Sequence, residues 1–157
     1  MARGETVILT NMCMVENALG EVVVQFRDPK RYAWSGAVFP GGHIEEHESL
    51  QEAVIREVYE ETGLMIKDPT LLGVKHFHTR DDGIRYLVFL YKTSDFSGEL
   101  VSSEEGEVRW VSRMELVNGV IELADSMSDM LPVFFGEESG ELFYKRDANN
   151  ILQRWYL

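Results

Sequence analysis

Residues 42–64 read GHIEEHESLQEAVIREVYEETGL. Ser49, followed three positions later by Glu52, forms a capping box, so the spacing predicts a helix over 50–62. Gly63 supplies the left-handed residue that ends it. At about 100° per residue, Leu50, Ala53 and Val54 share a face, and Glu57, Glu60 and Glu61 continue that face within roughly a 100° arc. Ile55, Val58 and Tyr59 are expected on the opposite side. The helix therefore starts apolar on two sides and then replaces one apolar stripe with carboxylates.

That replacement works against the helix. Three like charges on neighbouring turns repel, and they sit near the C-terminus, where the macrodipole also opposes them. A local rule broken this way points to a site. Clustered carboxylates suit hard cations with oxygen ligands, Mg²⁺ first and Mn²⁺ next. Charge spacing alone leaves a solvated acidic face as an equal alternative.

The flanking residues decide between the two. Gly42, Glu48, Arg56, Glu57, Val58, Glu60, Glu61, Gly63 and Leu64 fall in the pattern Gly, five residues, Glu, seven residues, Arg-Glu, aliphatic, any, Glu-Glu, any, Gly, aliphatic. This stretch resembles the Nudix box without a departure, and a chance match in a chain of this length is roughly one in ten million. Trp34, Pro40 and Gly41 ahead of the box, and the Glu-rich loop with Trp110 behind it, extend the resemblance over about residues 7–116.

The resemblance implies a Nudix hydrolase with an α/β/α sandwich around a mixed β-sheet and a loop–helix–loop catalytic motif. It implies Mg²⁺-dependent hydrolysis of a nucleoside diphosphate linked to a group X. Glu57, Glu60 and Glu61 would hold the metal, with Gly41 in a tight turn beside it. Gly42, Glu48, Arg56 and Gly63 would shape the motif, Glu48 and Arg56 as an ion pair. A further carboxylate is expected from 102–107, Glu104 or Glu105 ahead of Glu107, and either Glu57 or this loop would take a proton from water. The WSGAVFPGGHIE lead-in looks like the MutT-type nucleoside triphosphate pyrophosphatases, including those acting on oxidised nucleotides. ADP-ribose or nucleotide-sugar pyrophosphatases, RNA 5′ pyrophosphohydrolases and non-catalytic nucleotide sensors are the alternatives.

The rest of the chain fits that frame. It has 157 residues, 45% apolar and 27% charged, as expected of one globular domain over 1–157. Its net charge of −12, from 15 basic and 27 acidic side chains, disfavours long nucleic acid, which needs a basic footprint. A small nucleotide bound through a divalent ion remains compatible with it. No apolar run has the length of a membrane span or signal sequence, and Cys13 stands alone, so a cytoplasmic protein without disulfides is expected. The oligomeric state is left open.

Strands are expected over 5–15, 22–27, 71–80, 85–93, 108–111 and 142–146, with 22–27 pairing back on 5–15. An extended piece is expected over 34–39 and a hairpin turn at 81–83. Short helices are expected over 113–117 and 125–131, and an apolar segment over 151–157. Arg27 and Arg85 are candidate substrate contacts for phosphate or base, and Trp34 and Phe77 for stacking on a base. His43, His47, His76 and His78 lack a cysteine partner and are not read as a zinc site.

Overall fold

The computed structural model describes residues 3–31 and 35–157. The main sheet has the order β1 (Val7–Val15), β6 (Arg85–Thr93), β5 (Thr70–His78), β9 (Glu141–Arg146), β10 (Leu152–Tyr156). It is mixed. β1 runs parallel to β6, and β5 parallel to β9, while the β5–β6 and β9–β10 pairs are antiparallel. A smaller antiparallel sheet joins β3 (Gly36–Val38), β2 (Glu21–Arg27) and β8 (Gly106–Ser112). The two-residue strands β4 (Met65–Ile66) and β7 (Phe96–Ser97) pair separately.

Successive residues of β1 feed two cores, because side chains alternate across a sheet. Cys13 and Val15 join Val54, Val58 and Leu64 under α1 (Leu50–Thr62). Met14 joins Leu90, Leu131, Phe134 and Leu142 under α3 (Met127–Phe134). The two helices thus cover opposite faces of a mixed sheet, an α/β arrangement of helix, sheet and helix. α2 (Arg113–Val117) follows β8 behind a second capping box, Ser112 with Glu115.

The helix over 50–62, the helix over 113–117 and the strand over 85–93 match their expected bounds. The expected turn at 81–83 is present, with Gly83 at φ +67° and the Thr79 N–H donating to the Ile84 carbonyl at 2.9 Å. Pairing of 22–27 with 5–15 is wrong beyond an isolated bridge from Glu16 to Val22. The edge of β1 is occupied instead by residues 40–44. Cys13 N–H donates to the Pro40 carbonyl (2.8 Å), Asn11 N–H to Gly42 (2.8 Å), and Ile44 N–H to Leu9 (2.9 Å). β2 is displaced into the second sheet, where Val22, Val23, Val24 and Gln25 are buried on both faces.

The expected helix over 125–131 starts later, because Ser126 is left-handed (φ +61°) and gives no side-chain cap. It then continues through Pro132 to Phe134. The segment over 151–157 carries an edge strand, β10. Among the described residues, no helix is long and apolar enough to cross a membrane.

Candidate active site

α1 has the ends its sequence calls for. Ser49 Oγ accepts from Glu52 N–H at 3.0 Å, the Glu52 carboxylate accepts from Ser49 N–H at 2.7 Å, and Gly63 is left-handed at φ +79°. Its buried side differs from expectation. Ala53, Val54, Val58, Glu61 and Thr62 face inward, while Tyr59 is largely exposed. Residues 54, 58 and 61 fall on one line of the helix, so Val58 belongs with Val54 rather than opposite it. The three carboxylates are consequently graded: Glu60 is half exposed, Glu57 mostly covered, and Glu61 only 4% exposed.

The turn at 41–42 closes over them. Gly41 N–H donates to Glu61 Oε2 at 2.9 Å, and Gly42 N–H to Asn11 Oδ1 at 3.1 Å. A Cβ on Gly42 would lie 2.5 Å from the Glu57 carboxylate, whereas one on Gly41 would lie 2.1 Å from the backbone oxygen of Asn11. The two glycines should therefore respond differently to alanine. Gly42→Ala pushes aside a flexible carboxylate, so stability changes by less than about 1 kcal/mol while activity falls. Gly41→Ala meets fixed backbone and should lose about 1–3 kcal/mol. Thermal melts and turnover of the two variants check this contrast.

Arg56 does more than face away from the acids. Its Nε and Nη2 hold Glu48 at 3.1 and 2.7 Å, and Nη2 also donates to the His43 carbonyl at 3.0 Å. Its Nη1 swings to Glu57 (2.9 Å) and Glu60 (3.2 Å). A guanidinium on a long stem spans the 100° between neighbouring residues that the helical wheel treats as separation. The Arg56 pairing, with a backbone bond from Glu45, holds the Glu48 carboxyl below the ordinary range. Arg56→Ala is expected to cost about 1–3 kcal/mol, because charged hydrogen bonds are lost on a partly screened surface. It should loosen 43–48 as well as weaken activity, which hydrogen exchange of that loop checks.

Two neighbouring glutamates on the following loop diverge. Glu105 lies close enough to push the Glu61 carboxyl pKa upward and adds repulsion at Glu57. Glu104 is 94% exposed at its side chain, 3.8 Å from Arg31. Glu107 pairs with Arg109 at 3.3 Å. The loop is pinned by Gly106 at φ +152°, whose Cβ would lie 2.2 Å from the Phe26 carbonyl, and by Glu105 N–H donating to Ser103 Oγ at 3.2 Å. Burial raises the Glu61 pKa well above the ordinary carboxylate range, Glu105 and Glu57 add to it, and the Gly41 N–H opposes it. Burial also raises Glu57, against the pull of Arg56.

Of the four candidate substrate residues, Phe77 and Arg85 do not share a face. Phe77 pairs with Tyr86 across β5–β6 while Arg85 pairs with His78 one step on, so Phe77 and Arg85 point to opposite faces. Arg85 is held by Glu5 at 2.6 Å and by His76 Nδ1 at 2.9 Å. His76 is also bonded to Glu141 at 2.8 Å and stacked on Phe143, away from the carboxylates. Arg27 ends β2 between Gly36 and Gly106, beside the acidic loop. Trp34 lies outside the described residues. Asn11 was not singled out by sequence, although an amide within the apolar run VILTNMCMV was its signal.

All of these acids offer oxygen to a cation, and the charge of Glu105 opposes that of the buried Glu61. That donor set fits a hard divalent ion. Among the described residues no three acidic or histidine side chains surround a common point, and Arg56 holds both Glu57 and Glu60.

Comparison with known proteins bears on the family and the fold. The chain is 40% identical over 92 residues to the uncharacterized Nudix hydrolase YvcI of Bacillus subtilis, covering 56% of each protein. It is 37% identical over 68 residues to an ADP-ribose pyrophosphatase of Methanocaldococcus jannaschii, covering 43% of this chain and 40% of that one. The matches thus span about half the length of these relatives. Among solved structures, a MutT protein of Bacillus halodurans superposes with a TM-score of 0.73 at 24% identity, covering 94% of this chain and 96% of that one, which speaks for the fold. Residues 8–134 match the NUDIX domain, and the chain belongs to that family.

Proposed function

We propose that this protein hydrolyses the phosphoanhydride of a nucleoside diphosphate linked to a group X, using Mg²⁺ held by Glu57, Glu60 and Glu61. The observation that carries this reading is the buried Glu61 carboxyl, close to Glu105 under the Gly41 N–H. A bound divalent ion would offset the charge of the diphosphate and lower the pKa of water. The protein's own part is positional. Gly41 fixes Glu61, Arg56 and Glu48 brace the loop, and Glu105 is placed to accept the proton as water adds to phosphorus and the bridging oxygen leaves.

Nucleoside triphosphates, cleaved to monophosphate and pyrophosphate, are the first substrates to test, on the strength of the lead-in to the box. The identity to a protein named ADP-ribose pyrophosphatase makes ADP-ribose the second. A screen of nucleoside triphosphates, oxidised nucleotides, ADP-ribose and nucleotide sugars, with products separated by chromatography, should show release in Mg²⁺ and none in EDTA. Hydrolysis that survives EDTA, or no hydrolysis of any diphosphate in Mg²⁺, rejects the proposal.

A further inference from the structure

A second feature lies on the α3 face of the main sheet. A cavity of about 540 Å³ is lined by Lys75, Phe77, Arg80, Tyr144, Lys145 and Arg146, among others. In a chain of net charge −12, this concentration of cations is out of proportion. Arg31, Arg56, Arg85, Arg109, Arg113 and Arg154 each have a carboxylate within 4 Å. Among the described residues, no ion pair links Lys75, Arg80, Lys145 or Arg146 to an acid. Arg146 donates only to the Asn150 carbonyl, at 2.9 Å.

The floor is aromatic. Phe77 is stacked on Tyr86 at 5.5 Å, and the Lys75 ammonium lies 5.3 Å from the Phe77 ring centre and 5.4 Å from that of Tyr144. Lys75 is 8% exposed and donates to Ser126 Oγ. The nearby acid Asp129 is taken up by the Tyr144 hydroxyl at 2.6 Å and by Arg154 at 3.3 Å. Burial lowers the Lys75 pKa to about 8, against the attraction of Asp129 and Asp125, so a bound anion would stabilise its charged form.

Position ties the cavity to the box. Lys75, Val88 and Thr10 stand in one row across β5, β6 and β1, and Thr10 bridges to His43. The cavity floor is therefore two strands, about 10 Å, from the strand that carries the 41–42 turn.

We propose that this cavity takes the ring of a nucleotide against Phe77 and a second phosphoryl group of that nucleotide, carried on its sugar, against Arg80 and Arg146, the latter on the Lys75 face of β9. Which end of the ligand enters the cavity rests on the carboxylate site holding the diphosphate. The substrate class is then a nucleotide phosphorylated at the sugar as well as at the 5′ position. Arg and Lys beside an aromatic floor suit that combination of ring and phosphomonoester.

Calorimetry in Mg²⁺ with nucleoside 3′,5′-bisphosphates and matching 5′-monophosphates of the four common bases tests this. Neither probe contains an anhydride, so the outcome is independent of hydrolysis, and loss of diphosphate cleavage would count against the carboxylate site alone. For the preferred base, the bisphosphate should bind about tenfold tighter. The Arg80→Ala/Arg146→Ala protein should lose that gain and keep its affinity for the monophosphate, and Lys145→Ala, on the other face of β9, should keep the gain. All three positions are exposed, so the fold should persist, which a melt confirms. Equal affinities, no measurable binding of any bisphosphate, or a gain that survives the double variant would overturn the proposal. So would equally tight binding of a 5′-phosphorylated dinucleotide, which would replace the monoester by the phosphodiester of an RNA end.

Discussion

Glu61→Gln is expected to lower turnover by about a hundredfold or more while leaving the metal-free protein as stable as before, or more so. The carboxyl is buried with a raised pKa, so the metal-free protein already holds it largely protonated, and a glutamine amide is equally uncharged. What the amide cannot do is bind a hard cation as a carboxylate does. Melting with and without Mg²⁺ separates the two effects, since the Mg²⁺-dependent rise of the wild-type protein should shrink in the variant. The pH dependence has a definite sign. A carboxyl whose folded pKa lies above its unfolded value stabilises most at low pH, and that contribution fades as pH rises through the folded pKa. In EDTA, the wild-type melting temperature should therefore fall from about pH 5 up to about pH 9 relative to Glu61→Gln. A variant with near-normal turnover would remove Glu61 from the site.

The second large effect is expected at Glu105, with its neighbour as the control. Glu105→Gln should lower kcat by about a hundredfold with little change in KM, as expected when an interaction forms mainly in the transition state. Glu104→Gln should stay within about twofold of wild type, because its side chain faces solvent beside Arg31. Steady-state kinetics on the two proteins decide the matter. Equal losses would mean that the loop acts through its net charge rather than through one placed carboxyl.

Sequence spacing could not distinguish those two glutamates. Both lie in SSEEGE ahead of Trp110, and the choice is made by Gly106, whose backbone at φ +152° lies too close to Phe26 for any side chain. Such a contact is long-range and leaves no periodic trace. The helix was legible because its caps and the residues that bound it are local in sequence. The sheet assignment of β2 was not, because an Asn-Ala-Leu-Gly turn predicts a hairpin unless something else already holds the partner's edge. The two-residue strands β4 and β7 are too short to carry any period. Glu48 and Arg56 were legible as a pair, yet the reach of Arg56 to Glu57 and Glu60 depends on a rotamer that a helical wheel does not contain. Lys75 went unremarked because one lysine in LLGVKHFH reads as surface until α3 and β9 close over it.

The glycine turn of the active site also closes the exposed margin of the main sheet. Residues 40–44 occupy the backbone groups of β1 that β2 leaves unpaired. An uncovered strand margin of this kind invites other chains to add to it, and proteins take care to hide one. Here the cover is the same segment that places Gly41 and Gly42 against the carboxylates. A chain whose turn came loose would lose activity and at the same moment offer Leu9, Asn11 and Cys13 as a template for aggregation. Drift in the turn is thus opposed twice, once by catalysis and once by the need to stay monodisperse, and the second constraint would persist even in a relative that had stopped cutting its ligand.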